Sequence, residues 1–283
     1  MGLIGRKKTV WEEIEQWEQS YFIGGELNGY YSLEASLNKI IETWRPDAQK
    51  KLLQIVDSII FHTHAIAQNS TYDKETTAKV LNLGRVFESN IENVSDMKRL
   101  TIDQLRYICH QQLAKQRLIS LTQGGVTGFG GVFFVALDLP LMLTINMRTI
   151  HLTALTYGYD LNKPYELMLA LKVFHVATLP KTMQKEGWKQ LLQEIDSIED
   201  EWLVFDEENI EKYTVWLQQP IKQLAKGMAL LFLKKKLIYG LPIVSVTVGA
   251  SSNYFLAKQV SEIAHHFYEK RYLLEEMKSN SLQ

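Results

Sequence analysis

Two stretches without a single charged residue, Leu118–Leu137 and Leu237–Ala257, limit what this chain can fold into. Each is about as long as a membrane span, since roughly 20 apolar residues cross a hydrocarbon core. Their composition argues against spanning. The first carries Thr122, Gln123 and five glycines between Gly124 and Gly131, and the second carries Pro242, Ser245, Ser251, Ser252 and Asn253. Small residues recur at helical spacing, as Gly124 and Gly128 in one run and Ser245, Gly249, Asn253 and Ala257 in the other. That spacing lets two helix backbones approach closely. The runs are therefore expected to form apolar, small-residue-rich helical hairpin segments, either packed on each other or touching a membrane surface.

The rest of the chain reads with helical period. Val10, Ile14, Trp17 and Tyr21 share one face, and a Thr101/Gln104 capping box opens the helix that carries Cys109. Asp138 is expected to cap a helix with Pro140 in its first turn and Gly158 as a left-handed stop. Asn162 is expected to cap the next helix, with Pro164 in its first turn and Pro180 ending it. A closing amphipathic helix is expected from Ser261. No strand-like alternation or hairpin dipeptide occurs, so the expected fold is all-α, a multi-helix bundle. The organisation expected is an N-terminal helical region over 1–117 and a helical core over 118–283, together one compact domain. An acidic insertion falls at about 190–212.

The chemistry is bounded by what the motifs lack. "GGVTGFGG" has no lysine where a phosphate-binding loop needs one, and its glycine spacing fails the dinucleotide pattern. A formal charge of −1 gives no basic stripe for nucleic acid. The single cysteine, Cys109, excludes an internal disulfide. The N-terminus has no apolar signal region, so a cytoplasmic protein is expected. His62 and His64, and the adjacent His265 and His266, diverge on a helix, so neither a metal nor a cofactor is expected. The polar residues least suited to apolar helix are Asp138, Asn146, Arg148, His151 and Asn253. Capping and pairing explain them; a pocket centred on Asp138 with Arg148 or His151 is the catalytic alternative. A cavity for lipid or peptide between the small-residue helices is another.

"GGVFFVALDLPLMLTINMRTIHLTALTYGYD" and "LPIVSVTVGASSNYFLAKQVSEIAHHFYEKR" resemble the two motifs of the EcsC family: a Gly-Gly entry, D-L-P and Y-G-Y-D, then L-P-I, G-A and N-Y. The matching positions are Gly130, Gly131, Asp138, Pro140, Arg148, Tyr157, Gly158, Asp160, Pro242, Gly249 and Asn253. "SSN" replaces the commoner glycine-rich wording before Tyr254, a departure expected to loosen the helix contact there only slightly. The resemblance implies a helical accessory or binding protein associated with membranes or with a bacterial ABC transporter, and it carries no catalytic residues. Such a protein would lie at the inner face of the membrane. Lys234, Lys235 and Lys236, beside the second apolar run, would then meet anionic lipid.

Overall fold

The computed structural model describes residues 3–23, 46, 70–128, 135–197, 223, 226–227 and 245–281. They form α1 (Arg6–Tyr21), α2 (Ser70–Arg85), a 3-10 turn (Val94–Arg99), α3 (Ile102–Gly128), α4 (Val135–Thr156), α5 (Pro164–Thr178), α6 (Lys181–Ser197) and α7 (Ser245–Ser281). No strand occurs among the described residues, and the fold is an all-α bundle.

The axis of the bundle is α7, a single 37-residue helix. The small-residue run and the closing amphipathic helix, read separately from sequence, are one element, because neither Gly nor Pro interrupts the chain after Gly249. Residue pairings fix the directions. Arg106 meets Glu269 and Arg117 meets Ser261, so α3 runs antiparallel to α7. Glu166 meets Arg271 and Ala177 meets Gln259, so α5 does too. Lys7 meets Glu276 while Trp17 stacks on His266, which lays α1 antiparallel along α7 as well. α4 completes the surround. Val260, Ile263, Ala264, Phe267, Tyr268 and Leu273 of α7 are buried among Ile14, Leu105, Ile108, Leu155 and Phe174 of these neighbours.

Several local expectations hold. Thr101 N–H donates to Gln104 Oε1 at 2.9 Å and Gln104 N–H to Thr101 Oγ1 at 3.4 Å, closing the capping box. Val10 and Ile14 are fully buried, with Trp17 and Tyr21 packed beside them. The glycine-rich stretch through Gly128 is the last turn of α3 rather than a phosphate loop.

Others need correction. α4 is already helical at Val135, so Asp138 lies inside the helix and is not its cap, and Pro140 lies beyond the first turn. Val135, Ala136 and Leu137 are apolar and join the helix, carrying its start upstream. Lys163, not Asn162, is the N-cap of α5, with Pro164 at the first helical position. The Asn162 N–H instead donates to Asp160 Oδ1 at 2.9 Å. The acidic stretch expected at about 190–212 is not among these corrections: its described part belongs to α6, with Leu191 and Ile195 buried. The rest of the insertion lies outside the described residues.

α4 ends as its sequence prescribes. Gly158 takes φ 85°, its N–H donates to Leu155 O at 3.1 Å, and Tyr159 N–H donates to Ala154 O at 2.9 Å. This is the paired bonding of a Schellman turn, which glycine enters without steric cost. A Cβ at Gly158 would also lie 2.6 Å from Lys98 Cγ. Gly158→Ala is expected to lower stability by about 1–2 kcal/mol, the cost of holding an L-residue in left-handed backbone. Urea denaturation checks it, and an unchanged midpoint would mean that the turn relaxes.

Candidate functional site

"EKR", residues 269–271, would pass in sequence for a solvated charge run. All three are buried: Glu269 is 0 % exposed, Lys270 9 % and Arg271 5 %. Successive residues on a helix point about 100° apart, and α7 is surrounded, so each charge meets a different neighbour. Glu269 accepts from Arg106 of α3, Lys270 donates to Glu18 of α1 at 2.6 Å, and Arg271 grips Glu166 of α5 with two bonds of 2.6 and 2.8 Å. Burial of unpaired charge is costly, so this triple pairing fixes which helix packs where.

The Glu269 network is the denser part. Arg106 Nε lies 2.5 Å from Glu269 Oε1, and Arg106 Nη1 lies 2.5 Å from Glu13 Oε2 on α1. The Tyr157 hydroxyl, at the end of α4, reaches Glu269 Oε1 at 3.4 Å and His265 Nδ1 at 3.2 Å. Cys109 Sγ is 3.5 Å from the same ring nitrogen. Burial raises the Glu269 carboxyl, but His265, His266 and Arg106 outweigh it and hold it at about 2. Burial also pushes His265 down to about 3 and the Cys109 thiol well up. Cys109 is thus a core thiol, as its helix position suggests.

A second cluster lies one turn outward. Tyr159 is packed between two cations, with Arg271 Cζ 3.9 Å and Lys98 Nζ 4.3 Å from its ring centre. Lys98 Nζ also reaches Glu275 Oε2 at 2.5 Å. A cleft of about 510 Å³ opens here, with Lys98, Tyr159, Asp160, Lys163, Glu166 and Arg271 in its wall.

The sequence-derived positions therefore divide. Tyr157, Gly158 and Asp160 stand at this site, where the end of the first motif meets the end of the second. Asn253 is buried on α7, and Gly249 lies one turn before it. Arg148 is half-buried on α4, close enough that its charge, after burial and Lys115, helps depress Lys79. His151 is buried on the same helix. One continuous helix sets Asp138 and His151 about 20 Å apart along its axis and Asp138 and Arg148 about 15 Å apart. Gly130, Gly131, Pro242 and Lys234–Lys236 fall outside the described residues, as do the side chains of Asp138 and Pro140. Sequence reasoning missed Glu13, Arg106, Glu166, Glu269 and Arg271. The available signal was H-H-x-x-E, which puts Glu269 within one turn of both histidines.

The EcsC protein family matches residues 8–273. The chain belongs to the EcsC family. It is similar to the uncharacterized protein YdbA of Bacillus subtilis (strain 168), 24% identical over 274 residues that cover 94% of this chain and 93% of that one. It is also similar to protein EcsC of the same strain, 26% identical over 206 residues, 71% of this chain and 78% of the relative. No solved structure matches. The family match spans both halves of the site, from Glu13 on α1 to Arg271 on α7.

Proposed function

We propose that the protein is a non-enzymatic accessory or binding protein that works against a membrane surface or a membrane protein, with an ABC transporter as the partner class. The observation that carries this reading is an apolar end of the bundle. Leu118 (61 %) and Leu121 (39 %) on α3, Leu141 (46 %) on α4 and Phe255 (64 %) on α7 are all exposed. The C-terminal end of α3 and the N-terminal ends of α4 and α7 share one end of the bundle, so these side chains belong to the same region. Clustered exposed apolar groups mark contact with lipid or a partner. Among the described residues no helix is long and apolar enough to cross a membrane. Contact at the surface is the form of attachment that fits, and the inner face of the membrane is its proposed place.

The catalytic alternative asks Asp138 to act with Arg148 or His151, groups that one helix holds about 15–20 Å apart. The paired, buried charges of α7 serve a binding scaffold better.

Flotation with liposomes tests the reading. The full-length protein is expected to float with anionic vesicles and less with neutral ones. Phe255→Ser with Leu121→Ser is expected to reduce flotation several-fold, and neutralising Lys234–Lys236 is expected to remove the preference for anionic lipid, worth about 1 kcal/mol per lysine. No flotation with either vesicle would sink the lipid contact and leave a protein partner for the apolar end.

A further inference from the structure

The buried end of α7 also presents a donor set that the ion pairs do not use up. His265, His266 and Glu269 each offer one ligand-type atom, and the three atoms lie within 4.8 Å of one another. Glu269 Oε2 is 3.7 Å from His265 Nε2 and 3.6 Å from His266 Nδ1. Ligand atoms around a tetrahedral zinc ion with bonds of 2.0–2.1 Å stand about 3.4 Å apart. We infer that His265, His266 and Glu269 form a binding site for one divalent transition-metal ion, zinc in the first place.

Three features support this beyond proximity. The Tyr157 hydroxyl can donate to Glu269 Oε1, so its oxygen can accept from His265 Nδ1–H. That places the lone pair of His265 on Nε2, facing Glu269 Oε2, with a hydrogen bond orienting the ligand from behind as in known histidine sites. His266 Nδ1 is a buried atom that stands 3.6 Å from the same oxygen, beyond ordinary hydrogen-bond length. The charge around Glu269 also leaves one of its oxygens available. Arg106 sits on Glu269 mainly through Oε1, at 2.5 Å against 3.3 Å to Oε2, and Glu13 neutralises it. Two imidazoles and one carboxylate suit zinc or ferrous iron and leave a coordination position open. His110, exposed and with its ring 4.6 Å from that of His265, marks the route in. Cys109 lies on the Nδ1 side of His265, away from the three ligand atoms, and is not a ligand.

The test uses tag-free, full-length protein stripped with chelator and titrated with Co2+ alone, then with Zn2+. One Co2+ per chain is expected, with the visible absorption of a four-coordinate N/O site, no thiolate band, and displacement by Zn2+. His266→Gln is expected to weaken binding by more than the roughly 10- to 100-fold lost with an outer-shell partner, with helical circular dichroism unchanged. Replacing His62 and His64 by Gln should leave binding as it was. A second readout does not depend on how the His266 variant folds. Trp17 stacks on His266 at 4.0 Å, so bound Co2+ should quench a fluorescence component that Trp17→Phe lacks. Folded protein that takes up no Co2+, wild-type affinity in His266→Gln, or equal quenching in Trp17→Phe would each overturn the assignment.

Discussion

Arg271→Ala is expected to cost roughly 3–5 kcal/mol of unfolding free energy, the range for removing one partner of a buried ion pair. The guanidinium holds both oxygens of Glu166, at 2.6 and 2.8 Å, and both residues are buried. Burial alone would depress the arginine, but Glu166 reverses that and raises it. Truncation leaves Glu166 as an uncompensated buried carboxylate and strips the packing from Tyr159, whose ring lies 3.9 Å from the guanidinium carbon. Arg271→Lys should recover only part of the loss, because an ammonium cannot make the two-pronged contact. Removing the pair together, as Arg271→Met with Glu166→Leu, should cost less than Arg271→Ala, since no charge is left stranded. Lys172 and Glu194 serve as the control. They pair on the partly exposed face between α5 and α6, and Lys172→Ala should cost no more than about 1 kcal/mol. Urea denaturation of the five proteins decides the matter. A loss at Arg271 as small as that at Lys172 would mean that water reaches Glu166.

The same residues show where sequence reading stops. Local signals were legible because their physics is local. The Thr101/Gln104 box, the left-handed stop at Gly158 and Pro164 at a helix start all depend on neighbours within five residues. Amphipathic faces were legible too, since Val10 and Ile14 repeat at helical period and face the core. The partners of Glu269, Lys270 and Arg271 were not. They lie 163, 252 and 105 positions away, and a run of three charges on a helix ordinarily faces water. Nothing local says that α7 is enclosed on every side over residues 267–273. The start of α4 was misplaced for a related reason. Asp138-Leu-Pro140 is a strong starting signal, yet the apolar residues before it extend the helix when they can join it.

His175 supplies the second large effect, and it runs through pH. The ring lies on α5, 4 % exposed, and neither of its nitrogens has a hydrogen-bond partner. A Cβ added at Gly227 would lie 3.4 Å from Nδ1, so the backbone there closes over the ring. Burial, with a smaller contribution from Lys172, lowers its pKa from 6.5 to about 4. Above pH 6.5 the ring is neutral whether the chain is folded or not, and pH has no hold on stability through it. Below pH 6.5 the unfolded chain takes up a proton that the folded one refuses, so stability falls with each step towards pH 4. The slope approaches 1.4 kcal/mol per pH unit and the total is about 3 kcal/mol, complete once the folded ring also titrates. A total stability of about 5–15 kcal/mol cannot ignore that. His175→Leu removes the titrating group at similar volume. The wild type should therefore lose about 1 kcal/mol more than the variant between pH 6 and pH 5, a window above the range where most carboxylates titrate. Parallel urea titrations at pH 7, 6 and 5 measure the difference directly. Equal slopes would mean that the folded protein offers the His175 ring an acceptor or admits water to it, and burial would then not be what keeps it neutral.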